Sequence, residues 1–276
     1  MRQRTTAYLA LLTAMLLAGC TSEYNRVYRS TDYNYKYEYA KQLFSQGKYS
    51  QAGALLSDVV LSLKGTENGQ ESLYMLGMTQ YLSHDYELAS ETFKKYGTTY
   101  PKGMFAEKAC FYVGQSLYES APEPRLDQTP TIGALNAYQQ FIELYPKSSL
   151  RPQATAKLYE LQDKLIIKEL LNAQLYYNLG GYFGNCTNGG SNLEACIITA
   201  QNALKTYPFT DKREDFALLI MKSKYELAQQ SVEEKKMERY RDAEDECYGF
   251  LNEYPDSKNT ELAHKYIARC KKVTGD

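Results

Sequence analysis

Cys20 is the residue whose surroundings prescribe a reaction. It ends Leu17-Ala18-Gly19-Cys20, which matches the four-residue pattern of a bacterial lipobox. Ahead of it, Arg2 and Arg4 form a short basic region, and Ala7 to Leu17 form an apolar stretch too short to span a bilayer. Small residues before the cut suit a signal peptidase. The cysteine thiol can be diacylated, and the cut makes Cys20 the new N-terminus. Two or three acyl chains anchor firmly, because each buried methylene contributes about 0.8 kcal/mol. Residues 1–19 are therefore expected to be a removed signal peptide, and residues 20–30 a lipidated tether.

No other residues assemble into reactive chemistry. The only histidines are His84, in a turn between two helical patterns, and His264, in a closing helical pattern. Both are expected on the surface. The chain lacks H-E-x-x-H, G-x-x-x-x-G-K-[ST] and G-x-S-x-G. Gly114-Gln115-Ser116 falls inside a helical run, so Ser116 lacks the strand-to-helix turn of a nucleophile elbow. Gly180-Gly181-x-x-Gly184 follows no strand and reads as a helix end entering a loop. Five further cysteines, Cys110, Cys186, Cys196, Cys247 and Cys270, cannot all pair within the chain. Without a C-x-x-C, neither zinc nor redox chemistry is indicated. Cys186 and Cys196 bracket a Gly/Asn-rich loop and are candidates for a disulfide in an oxidising periplasm, with Cys247 and Cys270 a second candidate pair. The expectation is no enzyme, no metal and no cofactor.

The elements that position these residues are repeats. Ala40, Gly77 and Gly114 stand thirty-seven residues apart, and so do Tyr37, Tyr74 and Phe111, and Phe44, Tyr81 and Tyr118. Tyr-Pro recurs at Tyr100-Pro101, Tyr145-Pro146, Tyr207-Pro208 and Tyr254-Pro255. Each proline follows a helix-period apolar run and stops it, because the ring excludes α geometry from the residue before it. A small residue on the first helix, another on the second, an aromatic four later and a proline eight after that is the tetratricopeptide pattern. Gly77, Ala89, Phe93 and Pro101 show it most fully. The spacing predicts an all-α, tetratricopeptide-like helical-repeat solenoid of about five helix pairs plus a closing helix near Thr260 to Val273.

The intervals between prolines exceed the unit period, so residues must be accommodated elsewhere. One excess is the loop Pro122 to Pro130, a second a long helix near Gln153 to Leu179 with the loop Gly184 to Asn192. The third is the charged stretch Ser231 to Arg241, read as a solvated helix extension. Residues 31–150 then hold repeats one to three, and residues 151–276 the long helix, repeats four and five and the closing helix. A net charge of −1 gives no reason to expect nucleic-acid binding, and no second apolar run approaches transmembrane length. The chain carries 27 tyrosines and no tryptophan, a composition that suits helix packing and peptide-binding surfaces alike.

A lipobox, five tetratricopeptide-like units and recurrent Tyr-Pro helix ends together resemble the BamD family. Its members are lipoprotein subunits of the machine that inserts β-barrel proteins into the bacterial outer membrane. The resemblance covers roughly residues 28–272. It is closest from Tyr145-Pro146-Lys147-Ser148, through Ala173, Tyr176, Tyr177, Gly180 and Tyr182, to Tyr207-Pro208. It implies a periplasm-facing scaffold, lipid-anchored at the cell outer membrane. The C-terminal half would dock on the periplasmic domains of the barrel subunit, and the N-terminal half would contact unfolded barrel precursors. The long Gly184–Asn192 loop and the cysteines around it depart from the family pattern. Three other readings stay open: envelope or cell-wall maintenance, glycan binding, which the absence of tryptophan disfavours, and an unnoticed enzyme, which the sparse histidines and absent motifs disfavour.

On the first helices of tetratricopeptide units, two positions seven apart point into the concave face. Here they hold Tyr37, Tyr74 and Phe111, then Phe44, Tyr81 and Tyr118. These six rings either form a peptide-gripping ladder or fill gaps between repeats. Solvent exposure separates the two.

Overall fold

The computed structural model describes residues 23–180 and 191–275, and within them every regular element is an α-helix. After a short helical segment over 23–28, α1 (Tyr33–Ser45) pairs with α2 (Tyr49–Ser62), α3 (Glu67–Leu82) with α4 (Tyr86–Thr99), and α5 (Ala106–Ser120) with α6 (Thr129–Leu144). Then follow α7 (Arg151–Leu179), α8 (Asn192–Thr206), α9 (Arg213–Gln229), α10 (Glu233–Glu253) and α11 (Thr260–Thr274). The fold is all-α and tetratricopeptide-like. The long helix, the charged extension within α10 and the closing helix all stand where the sequence placed them. Cys20 and Cys186 lie outside the described residues, as does most of the Gly184–Asn192 loop.

Two compact units divide the chain: residues up to Pro122 with Thr129–Leu161, and Glu123–Gln128 with Gln162 onward. The division falls inside α7, beyond the residue-150 boundary read from the sequence. In the first unit Ala154, Leu158 and Leu161 of α7 pack with Phe111, Tyr138 and Phe141. In the second, Ile166 and Ala173 pack with Cys196, Ala200 and Phe216.

Close approach of paired helices depends on matching a small residue with a large one. A Cβ on Gly77 of α3 would stand 2.6 Å from the ring of Phe93 on α4, and one on Gly114 of α5 would stand 2.8 Å from the ring of Tyr138 on α6. Both rings are fully buried, so neither can yield freely. The second unit reverses the sizes. Met221 stands thirteen residues after its Tyr-Pro proline, as Gly114 does, and Cys247 stands eight before the next, as Phe93 does. Both are fully buried in one cluster.

The Tyr-Pro ends are built alike. Tyr100, Tyr207 and Tyr254 have φ between −130° and −123° and ψ between 62° and 66°, outside the α region as a following proline requires. Each still closes its helix with an N–H bond to the carbonyl four residues back, at 2.8 Å; Tyr145 does the same at 2.9 Å. Each tyrosine carbonyl then accepts from the residue three further on: Gly103, Ser148, Thr210 and Ser257. Ser148 and Ser257 also donate to Glu107 and Glu214, in the first turns of α5 and α9, at 2.6 Å each.

Turns within pairs need left-handed backbone. Gly47 between α1 and α2 has φ 73°, and His84, thirty-seven residues later between α3 and α4, has φ 65°. At both, the residue's N–H bonds three back, and that of the next residue five back, the double bond of a Schellman motif. His84 is exposed, with Nδ1 2.6 Å from the hydroxyl oxygen of Tyr86. His264 is exposed as well.

Two tests follow from the packing. Gly77→Ala, and likewise Ala89→Leu at a fully buried position, should cost on the order of 1–3 kcal/mol in denaturant unfolding; an unchanged midpoint would refute the interlock. His84→Gly removes a left-handed side chain that costs roughly 1–2 kcal/mol. It should raise the melting temperature unless the Tyr86 contact outweighs that strain.

Candidate binding face on the first helices

The aromatic positions read from the sequence lie on α1, α3 and α5, and each column has a structural logic. In the first column, Tyr37 is only 2% exposed, and its hydroxyl donates to Oε2 of Glu71 at 2.6 Å. Phe111 is 4% exposed, edge-on to Tyr138 and Phe141 at 5.8 and 5.5 Å. Those two rings fill the interior. Tyr74, between them in the column, is half-buried and stacks on Phe105 at 4.5 Å with planes 7° apart.

The second column braces turns. Phe44 lies edge-on to Tyr49 at 5.4 Å, and Tyr81 edge-on to Tyr86 at 5.5 Å, so each ring ties the end of a first helix to the start of its partner. The loop after α5 removes that option for Tyr118. Its hydroxyl instead donates to Glu160 and accepts from Nζ of Lys157 at 2.9 Å, with the ammonium 4.1 Å from the ring centroid. All three second-column rings are half-buried.

Tyr74, Tyr81 and Phe111 meet around a depression of about 280 Å3 between α3, α5 and the start of α7. Tyr112 joins them as a ring that the repeat columns missed. It lies 5.3 Å from Tyr81, 5.3 Å from Phe93 and 5.7 Å from Phe111, linking the core to the open wall. The column method passed over it because the equivalent position on α3 is Met75. The helical spacing of Lys108, Tyr112 and Gln115 was the available signal. Lys108 stands at one end of the depression, and Leu150 and Gln153 close it from the α7 side.

The rings of this wall are neutral and protonated, and Lys108 is the charged side chain on the lining. Burial pushes the phenols of Tyr74, Tyr81 and Tyr112 above their ordinary value, and the hydrogen bond to Glu160 pushes up Tyr118. The face thus offers flat apolar rings with hydroxyl tips and no group poised to exchange a proton near neutral pH.

The cysteines are placed for packing. Cys196, Cys247 and Cys270 are fully buried and Cys110 half-buried, all as free thiols. The second candidate pair, Cys247 and Cys270, belongs to one cluster of tyrosines and aliphatic side chains, unbonded. Burial raises the Cys247 thiol to about 12 and the Cys270 thiol to about 11, which keeps both protonated. Among the described residues, no group of three or more His, Cys, Asp or Glu could hold a metal, and no helix is long and apolar enough to cross a membrane.

Comparison with known proteins adds to this geometry. The sequence is similar to the "Outer membrane protein assembly factor BamD" of Caulobacter vibrioides, 23% identical over 174 residues, which cover 62% of this chain and 57% of that protein. The match thus spans little more than half the length of that relative. Over residues 29–227, well over half the chain, the sequence also matches the YfiO family, described as an outer membrane lipoprotein. With its paired helices and its match across both units, the chain belongs to the BamD-like YfiO family of outer membrane lipoproteins.

Proposed function

We propose that this protein is a non-catalytic scaffold lipoprotein of outer-membrane β-barrel assembly, with no cofactor. Acylated Cys20 holds it on the periplasmic side of the outer membrane. Its C-terminal half docks on the periplasmic domains of the barrel subunit, and the face formed by α3, α5 and the start of α7 receives extended segments of unfolded barrel precursors. Family membership and the printed function of the Caulobacter relative support the assembly role. The observation that carries the precursor contact is the half-open wall of Tyr74, Tyr81 and Tyr112 around its depression. Unfolded barrel segments alternate aromatic and apolar side chains with polar ones. A rigid neutral wall of rings, each losing little side-chain entropy, suits them. Exposed Gln153 adds an amide that can pair with an extended main chain.

The anchor is tested by Cys20→Ala, which should move the protein from the membrane fraction to the soluble periplasm. Retention in the outer membrane after a salt wash would show that lipidation is not what holds it.

For the face, Tyr74→Ala combined with Tyr81→Ala should weaken binding of an aromatic-bearing precursor peptide. It should also lower the melting temperature, since both rings brace the interior. Gln153→Trp separates the two effects, because it plugs the depression from an exposed helical position. Peptide affinity should fall at least fivefold while the melting temperature and barrel-subunit docking hold. Unchanged affinity in Gln153→Trp would overturn the assignment of this face.

A further inference from the structure

A larger depression in the first unit lies elsewhere, between the second helices. A groove of about 750 Å3 runs between α4 and α6, with Ala106, Cys110 and Val113 of α5 as its floor. Its α6 wall extends from Gly133 to Leu144, twelve residues, or ~16 Å of helix. Leu144 lies on the lining and is 59% exposed, an apolar side chain that this chain leaves uncovered.

Gly97 makes the groove unusual. It sits inside α4, where glycine costs about 1 kcal/mol relative to alanine. A Cβ there would meet nothing within 4 Å, so the chain's own packing does not require glycine. Gly133 on the opposite wall would meet only Leu117, at an ordinary 3.5 Å. These glycines therefore differ from Gly77 and Gly114, which this chain's own rings demand. What they do is widen the groove. Cys110 in the floor is no reactive centre, since burial raises its thiol to about 11.

We propose that the α4–α6 groove is a docking site for one amphipathic helix of a partner protein, with an acidic residue on that helix facing Lys94. Both walls and the floor are helical, so their main-chain groups are already paired. An extended segment would find no backbone partners there, whereas a helix brings its own hydrogen bonds and needs only an apolar face. The groove length matches about three helical turns. Charge sets the rest: of the lining side chains only Lys94 is charged, and the remaining polar rim is Thr98, Asn136 and Gln140. An acidic flank is thus the complementary one. This proposal is independent of the face formed by α3, α5 and α7.

The test places a photo-crosslinking benzophenone amino acid at exposed Thr98 of the full chain in cells, and identifies the crosslinked segment by mass spectrometry. The expected product is a partner-protein segment with apolar residues at helical spacing and an acidic flank. A synthetic peptide of that segment should gain helicity on binding the purified protein. Lys94→Glu should weaken it about tenfold, and Gly97→Leu more. Gly97→Ala should raise the melting temperature yet weaken the peptide, which a merely structural glycine would not do. Crosslinks only to lipid, only to a second copy of this chain, or to nothing would overturn the proposal. So would a peptide bound equally by the Gly97→Leu variant.

Discussion

The structure depends on how closely two helices of a pair can approach, and that distance is set by single side chains. At Gly77–Phe93 and Gly114–Tyr138 a missing Cβ makes room for a buried ring. The ring then contacts the neighbouring pair, so one residue choice fixes both the packing within a pair and the stacking between pairs. Phe93 touches Tyr74 and Tyr112 at 5.8 and 5.3 Å, and both of those rings reach the open face. The surface proposed to receive precursors is therefore the outer edge of the interlock that builds the core.

That connection explains which features the sequence displays. The thirty-seven-residue columns are legible because a small residue recurs at each crossing: Ala40, Gly77 and Gly114. The Tyr-Pro ends are legible because proline leaves its predecessor little choice of conformation. Helix order, the long α7, the charged extension of α10 and the closing helix follow from those signals. Burial of individual rings does not. Tyr37 and Tyr74 occupy equivalent positions, but Tyr37 is sealed by Glu71, thirty-four residues away, while Tyr74 leans on Phe105 and stays half-open. A periodic pattern cannot encode a partner that occurs once. Tyr112 and the Gly97 groove escaped for the same reason, being departures from the repeat.

The cysteines show the limit of spacing arguments from another side. Cys247 and Cys270 were the second candidate pair for a bridge. In the fold, Cys247 takes the place that Phe93 takes in an earlier pair, with Met221 supplying the bulk from the opposite helix. Volume is conserved while its source changes sides, the kind of exchange that cores tolerate best. A residue chosen for its size carries no information about oxidation. Its protonated, fully buried thiol is chemically quiet for the same reason that it packs well.

The proposed role as a binding scaffold fits the protonation of these groups. Catalysis near neutral pH needs a group whose proton is loosely held and a geometry that aims it. Here burial and hydrogen bonding push the phenols upward, the thiols are deep among apolar neighbours, and both histidines stand in solvent. Lys157 and Glu160 are spent on each other and on Tyr118, and Glu71 on Tyr37. What remains is a rigid, neutral set of rings with hydroxyl tips, shaped by helices that cannot move apart without tearing the interlock. Such a surface would recognise shape and aromatic character without demanding one sequence, which is what the proposed handling of many different unfolded chains requires.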